Sequence, residues 1–107
     1  MCCIKKLILL VAILALVGCA SEHDKLVTKG EGIYQANCKV CHSQGINGAP
    51  VLGNQPNWSA RAPQGIDVLV EHASNGYGLM PAKGGKTHLT EDDIRAAITF
   101  MLSKLEK

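Results

Sequence analysis

Cys38-Lys39-Val40-Cys41-His42 is the stretch on which the reading of this chain turns. Residues at i and i+3 share one face of a helical turn, so the two thiols point the same way. The imidazole of His42 follows directly. That spacing suits thioether bonds to the two vinyl groups along one haem edge, with the histidine swung under the ring to ligate iron. Two other chemistries use paired cysteines. A thioredoxin-type redox pair needs a βαβ setting, and the chain has no alternating strand pattern. A zinc site would have to recruit His72 and His88, which show no matching ligand-pair spacing. The favoured reading is one covalent haem c held through Cys38 and Cys41.

The rest of the composition agrees with a stapled fold. The chain has 107 residues, enough for one domain, and only four aromatic residues, Tyr34, Trp58, Tyr77 and Phe100, beside eleven glycines. A core that thin is marginal without a disulfide, a metal or another staple. Eleven basic residues face nine acidic ones. With no strong positive field, a nucleic-acid partner is excluded, and 47% hydrophobic residues argue against intrinsic disorder.

Thr28 followed by Glu31 has the form of a capping box and predicts a helix from about Lys29 to about Cys38 or beyond. A glycine-, asparagine- and proline-rich loop is expected from Ser43 to Pro56, then a helix from Ile66 to Asn75 ended by Gly76. Tyr77 to His88 again reads as loop. Thr90 caps the last helix, with Glu91, Asp92 and Asp93 in its first turn, where carboxylates suit the helix dipole. Ile94, Ala97, Ile98, Met101, Leu102 and Leu105 then form a continuous apolar stripe. The prediction is an all-α domain of three main helices, its long loops wrapped around the haem.

The N-terminus reads as an address. Lys5 and Lys6 precede the apolar run Leu7 to Val17, and the uncharged stretch Leu7 to Ser21 is fifteen residues, short of the ~18 needed to span a bilayer. An uncleaved anchor and simple signal cleavage are two readings of it. A third rests on Leu16-Val17-Gly18-Cys19, which resembles the lipobox of bacterial lipoproteins and implies a signal peptide over residues 1–18 with lipid on Cys19. Residues 19–27 then form the acylated cysteine and a polar tether, and 28–107 the haem domain. Cys2 and Cys3 fall within the signal, so of five cysteines Cys38 and Cys41 alone remain for the haem.

Met80, in Gly78-Leu79-Met80-Pro81, is the candidate second iron ligand. It lies in a loop 38 residues past His42, and Pro81 stiffens the chain beside it. Thioether ligation opposite histidine raises the reduction potential, as suits an electron carrier. His72 and His88 are the competitors for that position, whereas Met101 belongs to the apolar stripe.

Taken together, these stretches resemble the class I c-type cytochromes, most of all the short monohaem cytochromes of the c-five subgroup. The resemblance runs from about Lys25 onward and is carried by Gly30-Glu31-Gly32-Ile33-Tyr34, the C-x-x-C-H motif, Gly48-Ala49-Pro50-Val51-Leu52-Gly53, Trp58-Ser59-Ala60-Arg61, Gly78 to Gly85, and Ala97 to Met101. It implies a small class I cytochrome c fold in which Gly30 and Tyr34 cross the last helix near Phe100. The Pro50 carbonyl would accept from the His42 ring, and Trp58 and Arg61 would lie near the haem propionates. Many members of the subgroup carry a further cysteine pair after the methionine loop, where this chain has Gly85-Lys86-Thr87-His88.

The implied function is that of a lipid-anchored, periplasm-facing carrier of single electrons, with His42 and Met80 on the iron, exchanging electrons with redox protein donors and acceptors. Lys39, Lys83 and Lys86 would form a positive rim for docking. No grouping of catalytic type occurs, so an enzyme is not expected. An open sixth iron position would instead allow gas or peroxide binding, and a haem subunit of a larger respiratory complex is a third setting.

Overall fold

The computed structural model describes residues 20–105, and all of these belong to helices, turns and loops. Helix α1 spans Glu22–Ile33 and passes without interruption into a π-helical turn, Tyr34–Cys38, and then into α2, Lys39–His42. A single 3-10 turn at Ile46–Gly48 precedes α3, Gln55–Trp58, and another at Ala62–Gln64 precedes α4, Ile66–Asn75. After a last such turn at Ala82–Gly85 comes α5, Glu91–Ser103. Among the described residues the only β pairing is an isolated bridge between Tyr77 and Met80. No described helix is long and apolar enough to cross a membrane.

The start of α1 corrects the sequence reading. Ser21, not Thr28, is the cap: its hydroxyl accepts from the backbone N–H of Asp24. Thr28 lies inside the helix and donates its hydroxyl to the carbonyl of Asp24, the back-bond a threonine makes mid-helix. The stretch read as a tether therefore includes the first turns of α1. The region read as loop around Pro56 also contains a helix. Asn54 caps α3 by accepting from the Asn57 N–H, and Pro56 sits in its first turn. Helix α4 occupies the residues predicted for it, with Gly76 following at φ +90°. Thr90 caps α5 and Asp93 reciprocates, completing a capping box.

The core lies where α1 crosses α5. Tyr34, Trp58, Leu69, Val70, Leu89, Ile94, Ile98, Phe100 and Met101 are buried there in one cluster, which places Met101 in the core as expected. Gly30 makes the crossing possible. A Cβ on it would stand 1.9 Å from the carbonyl oxygen of Ala96 and 2.9 Å from Cβ of Phe100. One turn on, the rings of Tyr34 and Phe100 meet at 5.3 Å, tilted by 48°, a geometry worth ~0.5–1.5 kcal/mol beyond burial. The segments that frame the candidate site are pinned to this crossing, α1 through its π turn and α4 through Leu69 and Val70.

Candidate haem site

The π turn delivers the motif. Its signature is the bond from the Lys39 N–H back to the Tyr34 carbonyl, five residues earlier. Such insertions are frequent at functional positions, because one extra residue re-aims everything downstream. Here Tyr34 faces the core and Cys38, Cys41 and His42 follow on the next turn. Cys38 is half-buried, Cys41 exposed, and both are free thiols. Burial, aided by the neighbouring Cys41, pushes the Cys38 thiol up to about 11, so it is held neutral at physiological pH. The Tyr34 phenol is raised as well, by burial and then by Cys38.

His42 is 8% exposed and its ring is oriented. Nδ1 lies 2.9 Å from the carbonyl oxygen of Pro50. A carbonyl only accepts, so Nδ1 carries the proton and Nε2 keeps its lone pair. The same loop binds the backbone of His42 through the Leu52 N–H, which donates to the His42 carbonyl at 2.8 Å. Between those two residues Val51 is held from the other side. Its N–H donates to Asn57 Oδ1 at 3.1 Å, and its carbonyl accepts from Trp58 Nε1 at 2.9 Å. Two side chains of α3 thus clamp the peptide groups of a loop whose neighbouring groups fix the histidine.

Asn57 and Val51 were not singled out from the sequence, although the Asn54–Pro56 pattern was a readable sign of the helix that carries Asn57. Trp58 is 3% exposed, and its N–H is taken by Val51. Arg61 donates through Nη1 to the Asn57 carbonyl, one of the five N–H groups a guanidinium offers.

Met80 is half-buried in a four-residue turn closed at both ends, with Tyr77 N–H donating to the Met80 carbonyl at 3.0 Å and Met80 N–H to the Tyr77 carbonyl at 2.9 Å. The rival ligand His72 is stacked on Tyr77, ring centroids 4.0 Å apart. His88 is exposed. Cys19 and the residues before it lie outside the described residues.

This donor set fits a covalently held haem. Two thiols stand at the required spacing, and a buried imidazole presents Nε2. Large apolar side chains are exposed on the segments that carry the motif and the methionine, Val40 and Ile46 on one and Tyr77 and Leu79 on the other, and exposed apolar surface of this kind marks a place for a ligand or partner. An all-helical fold closed around one C-x-x-C-H motif with these features defines a class, and the chain belongs to the class I c-type cytochromes, small monohaem electron carriers. Members hold their single haem covalently through the motif that stands here at residues 38–42.

Over residues 25–101 the chain matches the family described as "Cytochrome C oxidase, cbb3-type, subunit III". It is similar to cytochrome c-555 of Prosthecochloris aestuarii, 36% identical over 87 residues that cover 74% of this chain and 88% of the relative. Cytochrome c5 of Ectopseudomonas mendocina is 34% identical over 73 residues, covering 66% and 84%. Among solved structures, the chain resembles one described as an electron transfer complex of nitrite reductase with cytochrome c, at TM-score 0.67 and 37% identity, covering 71% of this chain and 93% of that one.

Proposed function

We propose that the protein is a lipid-anchored, periplasm-facing carrier of single electrons whose haem iron is held between His42 and Met80. The haem supplies a one-electron ferric–ferrous couple. The chain fixes its ligands. The observation that carries the reading is the His42 ring, buried, with Nδ1 bound to the Pro50 carbonyl and Nε2 left for iron. The closed turn around Met80 is the second support, since a preformed turn lowers the ordering cost of binding a thioether. Trp58 holds the loop behind His42, and Arg61 retains guanidinium N–H groups for a propionate.

With His42 and Met80 as its two protein ligands, a haem held here would keep no open position for a substrate and would serve as a one-electron carrier, so we read the chain as a carrier and not an enzyme. The nitrite reductase complex formed by a structural relative supports redox-protein partners, with Lys39, Lys83 and Lys86 as the guiding charges. The anchor is assigned to Cys19. The description of the matched family also favours a second setting, a haem subunit of an oxidase. The relatives named cytochrome c-555 and cytochrome c5 favour the first setting, a small carrier.

The test is a visible spectrum, oxidised and reduced, with and without carbon monoxide, on protein matured in a host competent for c-type haem. A low-spin reduced spectrum indifferent to carbon monoxide, with the weak far-red sulfur–iron band when oxidised, is expected. Ready carbon monoxide binding would move the assignment to ligand sensing or catalysis. Native-size analysis of a mild detergent extract separates the free carrier from a complex subunit. Loss of membrane retention in Cys19→Ser tests the lipid.

A further inference from the structure

His72 entered the sequence reading as a rival for the iron, yet the structure occupies it elsewhere. Its ring lies 4.0 Å from that of Tyr77, the planes only 12° apart. Tyr77 is otherwise 61% exposed, so the imidazole covers one face of an aromatic ring that would stand largely in solvent. The backbone of Tyr77 is the other half of the closed turn containing Met80, through the paired bonds of 3.0 and 2.9 Å. His72 itself is in the last turn of α4, whose Leu69 and Val70 are core residues.

A second contact lies along the same path. Gly76, at φ +90°, brings the end of α4 so close to the turn that a Cβ there would meet the Met80 carbonyl oxygen at 3.2 Å and the Ala82 nitrogen at 3.1 Å. The methionine turn is therefore packed against the end of α4, and the His72–Tyr77 stack spans the junction on its exposed side.

We infer that His72 is a positioning residue for the sixth ligand: stacked on Tyr77, it braces the Met80 turn against α4 and sets how often Met80 leaves the iron. The inference rests on the assignment of Met80 as that ligand. A stacked aromatic pair has a stabilisation that converts to about a three- to tenfold change in an opening equilibrium.

The experiment uses the ferric haem-loaded protein with excess imidazole as the probe. Imidazole captures the sixth position whenever the methionine opens, and loss of the far-red sulfur–iron band reports the capture. His72→Ala is expected to speed capture about three- to tenfold. His72→Phe, which restores a flat ring and cannot ligate iron, is expected to return the rate to that of the parent. Global unfolding by denaturant in the ferrous state should change far less than the capture rate. Equal capture rates in parent and His72→Ala, with the far-red band present, overturn the brace and leave the ligand assignment standing. Failure of His72→Phe to restore the rate also overturns it. A far-red band absent from the parent, or retained in Met80→Ala, overturns the ligand assignment itself.

Discussion

Placing a methyl group on Gly30 is the sharpest perturbation this fold invites. The new Cβ would sit 1.9 Å from the Ala96 carbonyl oxygen and 2.5 Å from its carbon. Neither is the end of a flexible side chain that can swing away, so α1 and α5 must part by about 1 Å or more. A gap of ~0.5–1 Å already forfeits about a quarter to a half of the dispersion attraction between facing atoms. Those atoms include the buried rings of Tyr34 and Phe100. Alanine recovers about 1 kcal/mol of helix propensity relative to glycine. Set against that, overpacking onto rigid backbone leaves Gly30→Ala destabilised by about 3 kcal/mol. For a domain of this size the melting temperature should fall by roughly 15 °C.

Thermal unfolding of the haem-loaded ferric protein, followed by far-ultraviolet circular dichroism at matched haem content, measures this directly. Gly32 supplies the control. It lies in the same helix with nothing within 4 Å of its would-be Cβ, so Gly32→Ala should raise stability by up to ~1 kcal/mol. A Gly30→Ala protein melting at or above the parent temperature would refute the close-crossing argument.

The clamp behind His42 predicts that Asn57→Ala costs ~1 kcal/mol in denaturant unfolding by removing the acceptor for the Val51 N–H, and that Trp58→Phe costs about 1–3 kcal/mol because the Val51 carbonyl loses its donor. Thr90→Ala should cost ~1 kcal/mol through loss of the α5 cap, read by the same melts. The Asp93 carboxyl is held below the usual carboxylate range by the Thr90 backbone N–H first, then the Thr90 hydroxyl and Lys29. Its contribution is therefore complete above the unfolded carboxylate value of about 4 and disappears as the pH falls through the lower folded value. Asp93→Asn should flatten the acid limb of the stability–pH curve while leaving its neutral shape unchanged; an unaltered acid limb would remove Asp93 from that role.

What was legible in advance follows from how local each determinant is. The spacing of Cys38, Cys41 and His42, the stripe of α5 and the Gly76 stop of α4 are written in residues close together, and α4 and α5 appear where the pattern puts them. The close approach at Gly30 was implied by family likeness alone, since no local pattern says what faces a glycine. The start of α1 was misplaced because Thr28–Glu31 has the letters of a cap, while Ser21 satisfies the Asp24 N–H about two turns earlier. The π turn had no local sign. It reconciles Tyr34 packing on Phe100 with the placement of the following cysteines, which is a demand of the tertiary structure. Asn57 was passed over for a related reason: its partner Val51 is fixed by loop geometry that no periodicity describes.

The unbroken run from Glu22 through the π turn to His42 has a mechanical consequence. At ~1.5 Å per residue it is a rod of roughly 30 Å, with Ser21 at its first cap and the haem ligand at its far end. A lipid on Cys19, as proposed, would be joined to this rod through two residues. The haem would then ride on a stiff boom instead of a leash, sweeping a shell of nearly fixed radius about its anchor. Partners whose redox centres open within that radius would be served, and those much farther out would be beyond its reach.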